Sequence, residues 1–184
     1  DAKNYKLTAQ PTTTADITRR TLTVTGITVA DKTYDGGTDA QITNITYDGI
    51  VPGEQVYARI TASFANASAD TNKNVTFNVD GLAGKDAGNY ECSSTLPVVT
   101  ATIRQAQLVG APTFDKVTKA GTKLFEVNYD LSGIKGVNGE DVSPAFSWTD
   151  AADTVIEANK SYSWTISTTN TNYESPLTGS TVLY

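Results

Sequence analysis

Histidine and methionine are absent from these 184 residues, and cysteine occurs once. Without histidine there is no Ser-His-Asp or Cys-His nucleophile arrangement, no His-ligated zinc and no imidazole to move protons near neutral pH. One cysteine can build neither an internal disulfide nor a structural zinc site. A chain that opens on Asp1 and holds no methionine is expected to be a piece of a longer protein. Basic residues are sparse as well. Fourteen Lys and Arg face twenty Asp and Glu, a formal charge of −6, and Arg19-Arg20 is the one adjacent basic pair. A nucleic-acid partner needs a dense cationic face to displace counterions, so none is expected. Apolar runs such as Leu96-Pro97-Val98-Val99 fall far short of the ~20 residues that cross a bilayer, so this segment is not expected to insert into a membrane.

What the sequence does hold is an internal repeat. Asp1-Ala2-Lys3-Asn4-Tyr5 recurs as Asp86-Ala87-Gly88-Asn89-Tyr90 and, weakened, as Asn170-Thr171-Asn172-Tyr173. The three tyrosines are 85 and 83 residues apart. Thr14-Ala15-Asp16-Ile17 matches Thr100-Ala101-Thr102-Ile103, and Leu22 matches Leu108. Residues 1–20 therefore read as the terminal strand of a preceding repeat, 21–105 as one complete unit and 106–184 as a second, diverged unit. The terminal strand is expected to lie along the complete unit or to pair with an edge strand of another molecule. Only Gln105 to Pro112 joins the two units, which points to a stiff, end-to-end arrangement.

Within the complete unit the apolar period is two. Val56, Ala58, Ile60, Ala62 and Phe64 alternate with more polar neighbours, as do Val75, Phe77 and Val79, and then Val99, Ala101 and Ile103. Leu22 and Val24 occupy even positions and Ile27 and Val29 odd ones, a slip at Gly26 that a β-bulge would produce. Asp35-Gly36-Gly37, Asp48-Gly49, Pro52-Gly53 and Asp80-Gly81 read as turns. The second unit behaves alike: Phe125, Val127, Tyr129 and Leu131 share one face, Phe146 and Trp148 another, and Tyr162, Trp164 and Ile166 a third. No stretch has helical periodicity. The expected fold is all-β, two tandem Ig-like β-sandwich domains in an elongated arrangement, with a β-grasp-like repeat as the alternative.

The complete unit resembles the YDG-type repeat domain. Lys32-Thr33-Tyr34-Asp35-Gly36-Gly37-Thr38 is similar to that family's K-x-Y-D-G-T-T signature, and Val51-Pro52-Gly53-Glu54-Gln55-Val56 to its V-x-G-D-x-V segment. Phe64 with Lys73-Asn74-Val75-Thr76, the block Gly81 to Tyr90, and Thr100-Ala101-Thr102-Ile103 continue the likeness in order. Gly37 for Thr and Glu54 for Asp depart from it. Residues 107–184 are loosely similar to related bacterial surface Ig-like repeats through Trp148-Thr149-Asp150 and Asn172-Tyr173. The resemblance implies a bacterial cell-surface or secreted, adhesin-like protein in which such units stand in tandem without catalytic chemistry. Its partners would be neighbouring repeats of the same polypeptide.

Candidate chemistry is thin. Asp31, Asp35 and Asp39, close to Gly36 and Gly37, are candidate calcium ligands, although their spacing is not that of an EF-hand. Trp148 and Trp164 could stack on sugar rings, but each shares a face with other large apolar residues and reads as core. Tyr57 is a better candidate contact for a host glycan or glycoprotein. Cys92, two residues beyond Tyr90, reads as an inert core thiol. A Lys–Asn isopeptide bond needs a buried pair beside a carboxylate, and most lysines here flank turns. A hydrolytic pair of carboxylates about 5 to 9.5 Å apart needs a cleft that this pattern has no long loop to build. No catalytic, cofactor or metal residues are expected. Tyr90, at a strand entry, is expected to bond its hydroxyl to backbone, as tyrosine corners do.

Overall fold

The structure is a computed structural model that describes residues 2–6, 8–9 and 12–184. The chain is all-β. Its described residues form twelve strands and three single-turn 3-10 segments, with no α-helix among them. The first unit contains β1 (Arg20–Val29), β2 (Lys32–Thr33), β3 (Ile42–Asp48), β4 (Tyr57–Phe64), β5 (Asp70–Ala83), β6 (Tyr90–Cys92) and β7 (Val99–Arg104). They form two sheets, β3-β1-β6 and β2-β7-β5-β4. The second unit contains β8 (Thr113–Phe114), β9 (Tyr129–Asp130), β10 (Ala145–Trp148), β11 (Ser161–Ser167) and β12 (Leu177–Val182), in sheets β8-β9 and β10-β11-β12.

The parity slip in β1 is a bulge. Val24 pairs with Tyr47 and Gly26 with Thr46, which leaves Thr25 as the extra residue. Leu22 and Val24 before it and Ile27 after it all face inward as a result. Asp80-Gly81 is not the turn its composition suggests. It lies inside β5, where Ile60 pairs with Val79 and Ala58 with Leu82, so Asp80 and Gly81 together oppose Arg59. Gly81 takes φ +116° there, and the Arg59 guanidinium donates to the Asp80 carbonyl at 3.1 Å. The sequence pattern Asp-Gly supplies a positive φ, and the long β4–β5 pairing converts that into a bulge.

Tyr90 does not enter the last strand of the unit. It opens the separate strand β6, which runs parallel to the start of β1, with Arg20 opposite Tyr90. Only after residues 93–98 does the chain return as β7, between β2 and β5. Just before Tyr90, residues 87–89 form a 3-10 turn. The apolar residues sort into a cluster of Leu22, Val56 and Tyr90 and another of Phe64, Val75, Ala101 and Ile103.

In the second unit the expected strand over 125–131 is mostly absent. Residues 124–126 form a 3-10 turn whose Glu126 carboxylate accepts the Lys123 N–H at 2.7 Å. That turn buries Leu124 and Val127, three residues apart, and leaves Phe125 exposed. Phe146 and Trp148 do share a face, half-buried, and Tyr162, Trp164 and Ile166 are all buried along β11. Of the expected terminal strand, Asp1, Leu7, Gln10 and Pro11 lie outside the described residues. Residues 12–19 are exposed and belong to no strand, and Ile17 is fully exposed.

Gly84 and Gly88 make opposite demands although they stand only four positions apart. Gly84 has φ +108°, and a Cβ there would overlap the Gln55 carbonyl, a backbone atom that cannot move aside. A Cβ on Gly88 meets nothing within 4 Å. Urea unfolding should therefore show Gly84→Ala losing about 2 kcal/mol or more, and Gly88→Ala staying within about 0.5 kcal/mol of the parent.

Candidate functional site

Two buried tyrosine hydroxyls organise the two units in the same way. The Val51 N–H donates to the Tyr90 hydroxyl oxygen at 3.0 Å, and that hydroxyl donates to the Glu54 carboxylate. The Val137 N–H donates to the Tyr173 hydroxyl oxygen at 3.0 Å, and that hydroxyl donates to the Glu140 carboxylate. Each partner turn carries a glycine of positive φ, Gly53 at +91° and Gly139 at +76°. The Tyr90 hydroxyl does bond to backbone, but across 39 residues of chain rather than within its own corner. A signal for the second latch was present in the sequence. Val51-Pro52-Gly53-Glu54-Gln55-Val56 recurs as Val137-Asn138-Gly139-Glu140-Asp141-Val142, 86 residues later. The backbone frame repeats too: Arg20 pairs in parallel with Tyr90, and Ala106 with Tyr173.

The signature turn of the first unit is seated on the latch of the second. The Tyr34 ring meets the Tyr173 ring edge-on, with centroids 5.5 Å apart and planes at 79°. The Asn138 side-chain amide donates to the Asp35 carbonyl at 2.9 Å. Gly36, at φ +80°, leaves room for that amide, which a Cβ would meet at 2.5 Å. On the other side the Ala69 N–H donates to the Asn172 side-chain carbonyl at 2.9 Å, and the Gln105 amide donates to the Thr171 carbonyl at 2.8 Å. Tyr34 thus packs against the apolar clusters of both units. The Tyr-Asp-Gly residues shape a tight turn and also make a junction.

Burial pushes the Tyr173 hydroxyl up to about 12, helped by its bond to Glu140. The same bond holds the Glu140 carboxyl below the ordinary glutamate range. Donation to Glu54 likewise raises Tyr90 above an ordinary tyrosine.

The three candidate calcium aspartates do not converge. Asp31 is paired with Arg104 at 2.7 Å and accepts the Thr102 N–H. Asp35 is paired with Lys32 at 2.7 Å and accepts the Gly37 N–H at 2.9 Å, which together lower its pKa. Asp39 stands in a bridge to Ser63, and its backbone carbonyl takes the Lys32 ammonium. Among the described residues no group of three or more acidic or thiol side chains could hold a metal ion. Cys92 is half-buried at the end of β6. Trp164 is core, faced by Gly179 across β12, whose missing Cβ makes room for the indole. Tyr57 is about half exposed. One lysine does not flank a turn: Lys73 is buried on β5 and donates to the Asn66 side-chain carbonyl at 2.5 Å. Among the described residues it makes no ion pair.

Part of this geometry, that of the first unit, falls within a match to a known family model. Residues 18–97 match the YDG domain family. No curated protein and no solved structure matches the chain. The YDG match takes in the Tyr34-Asp35-Gly36 turn, the Val51–Glu54 turn and Tyr90, and ends before β7 and the second unit.

Two measurements test the latches. Tyr90→Phe leaves the Val51 N–H and the Glu54 carboxylate without their partner and should cost about 1–3 kcal/mol in urea unfolding. For Tyr173, whose folded pKa lies above the ordinary tyrosine value of 10.0, the neutral hydroxyl is favoured by folding. Its stabilisation is complete below pH 10 and is lost as pH rises toward about 12, so the parent chain should lose roughly 2–3 kcal/mol across that window. Tyr173→Phe should start lower at neutral pH and lose correspondingly less over the same range.

Proposed function

We propose that this chain is a non-catalytic spacer: consecutive Ig-like β units of a bacterial cell-surface or secreted, adhesin-like protein, stacked end to end to present a distal functional region. The observation that carries this reading is the use of the repeat signature itself. Tyr34, Asp35 and Gly36 are committed to a neighbouring unit, through one aromatic edge contact and one amide bond, rather than to a cleft or a charged site. A repeat whose most distinctive residues hold its neighbour is suited to transmitting length and stiffness. The acidic surface, with a formal charge of −6, keeps such a stalk soluble and discourages self-association.

A second reading, binding of host glycans, is favoured by one feature. Tyr129, about half exposed, lies over Phe146 with centroids 4.3 Å apart, and Phe146 in turn meets Trp148 edge-on at 4.9 Å. Such a strip offers apolar ring faces to a sugar.

A glycan and mucin array, run with the full chain with and without calcium, separates the two. The spacer reading expects no saturable binding in either condition. Saturable binding to one sugar class that is lost on Tyr129→Ala would replace it with the adhesive reading. Stiffness is tested at the junction: Tyr34→Ala should cost about 2 kcal/mol and, by letting an end-to-end pair bend, lower the radius of gyration seen by small-angle scattering. Tyr34→Phe should leave both near the parent.

A further inference from the structure

The first unit carries its own copy of the surface on which the Tyr34–Gly36 turn sits, and among the described residues no second Tyr-Asp-Gly turn is seated on it. Around Tyr173 the surface is filled: the Tyr34 ring lies against it, Asn172 is half-buried under Ala69, and Ala106 is buried. Around Tyr90 the ring is buried by its own unit, at 2% exposure, but the rim of the same frame is open. Asn89 is exposed where Asn172 is not, and Arg20 is exposed where Ala106 is buried. A hollow of about 480 Å³ opens beside Tyr90, walled by Arg19, Leu82, Ala87, Gly88 and Cys92. We propose that this corner, formed by Val51–Glu54, Asn89–Tyr90 and Arg19, is a socket for the Tyr-Asp-Gly turn of another YDG-type unit.

The chain leading into the socket says which unit that is. Residues 12–19 run into Arg20 as β7 runs into Ala106, and Thr14-Ala15-Asp16-Ile17 occupies the place of Thr100-Ala101-Thr102-Ile103. Ile103 is 1% exposed in the first unit's core, whereas Ile17 is fully exposed. An isoleucine at a core position without a core lacks the sheet that should bury it. The occupant is therefore the unit whose last strand is residues 12–19, docked through its own signature turn. Its tyrosine fills the hollow beside Tyr90. Pro52 stands where Asn138 donates to Asp35, so the amide bond is not repeated. Arg19, at the wall of the hollow, meets the aspartate of the incoming turn instead.

This inference rests on the spacer reading, but its test is independent of any glycan result. Residues 1–18 of the full chain are replaced by a copy of residues 20–104, so that the copied Arg104 leads into Arg19. Amide hydrogen exchange is then compared with that of the 184-residue parent. The expected result is exchange at least tenfold slower over residues 86–92 of the original first unit, with protection of the added copy's own β4–β5 hairpin. The protection over 86–92 should disappear when the tyrosine of the added turn is changed to alanine (Y34A in the copy only). Unchanged exchange over 86–92, an added copy that fails to fold on this socket, or protection that survives the alanine substitution would each overturn the proposal. A positive array with a positive exchange result would refute the spacer role and leave the socket standing.

Discussion

A tyrosine hydroxyl buried where water cannot reach must find both a donor and an acceptor, and the fold is arranged around that requirement. Tyr90 and Tyr173 are 2% and 1% exposed, and each resolves the constraint identically, taking a backbone N–H from one end of a turn and giving its proton to a glutamate at the other. The bond fixes a turn to a strand that is distant in sequence. It also fixes the height of the ring, which sets the surface the next unit can use. Tyr162 follows the same rule on a smaller scale, its hydroxyl accepting the Glu157 N–H at 2.8 Å.

The junction is a consequence of that placement. Because Tyr173 is pinned by its hydroxyl, its ring edge is available to Tyr34, and the Val137–Glu140 turn presents Asn138 to the Asp35 carbonyl. Gly36 contributes by lacking a side chain where the two turns approach most closely. None of the individual contacts is strong. An aromatic pair and a few neutral hydrogen bonds are each worth about 0.5–1.5 kcal/mol. Their effect is geometric, since contacts on two sides of a short connection restrict bending more than either alone.

Glycine in this chain carries meanings that composition does not distinguish. In Asp48-Gly49 and Asp80-Gly81 the pair is the same, yet the first ends a strand and the second is a bulge within one. Both need the positive φ. What separates them is whether the chain beyond has a partner strand to continue against, and β4 extends far enough to provide one. The single-turn helix at residues 124–126 makes the same point for Phe125. Alternation predicted an inward face, but a local turn closed by Glu126 gave Leu124 and Val127 the interior.

Period-two alternation identified β4, β5, β7 and β11, the parity slip at Gly26 located the bulge in β1, and the spacing of the tyrosines revealed the repeat. These are local properties, fixed by backbone pleating and by what each side chain can bury. The all-β class followed from them. The pairing partners did not, because parallel neighbours such as β1–β6 and β2–β7 lie some 70 residues apart in sequence and no local rule selects them. The roles of Glu54 and Glu140 were equally hidden. A glutamate in a turn reads as solvated surface until a tyrosine from the far end of the unit is folded against it. That the Tyr-Asp-Gly turn serves a neighbour as well as its own strand connection was decided by tertiary structure alone, since it depends on two units being brought into contact.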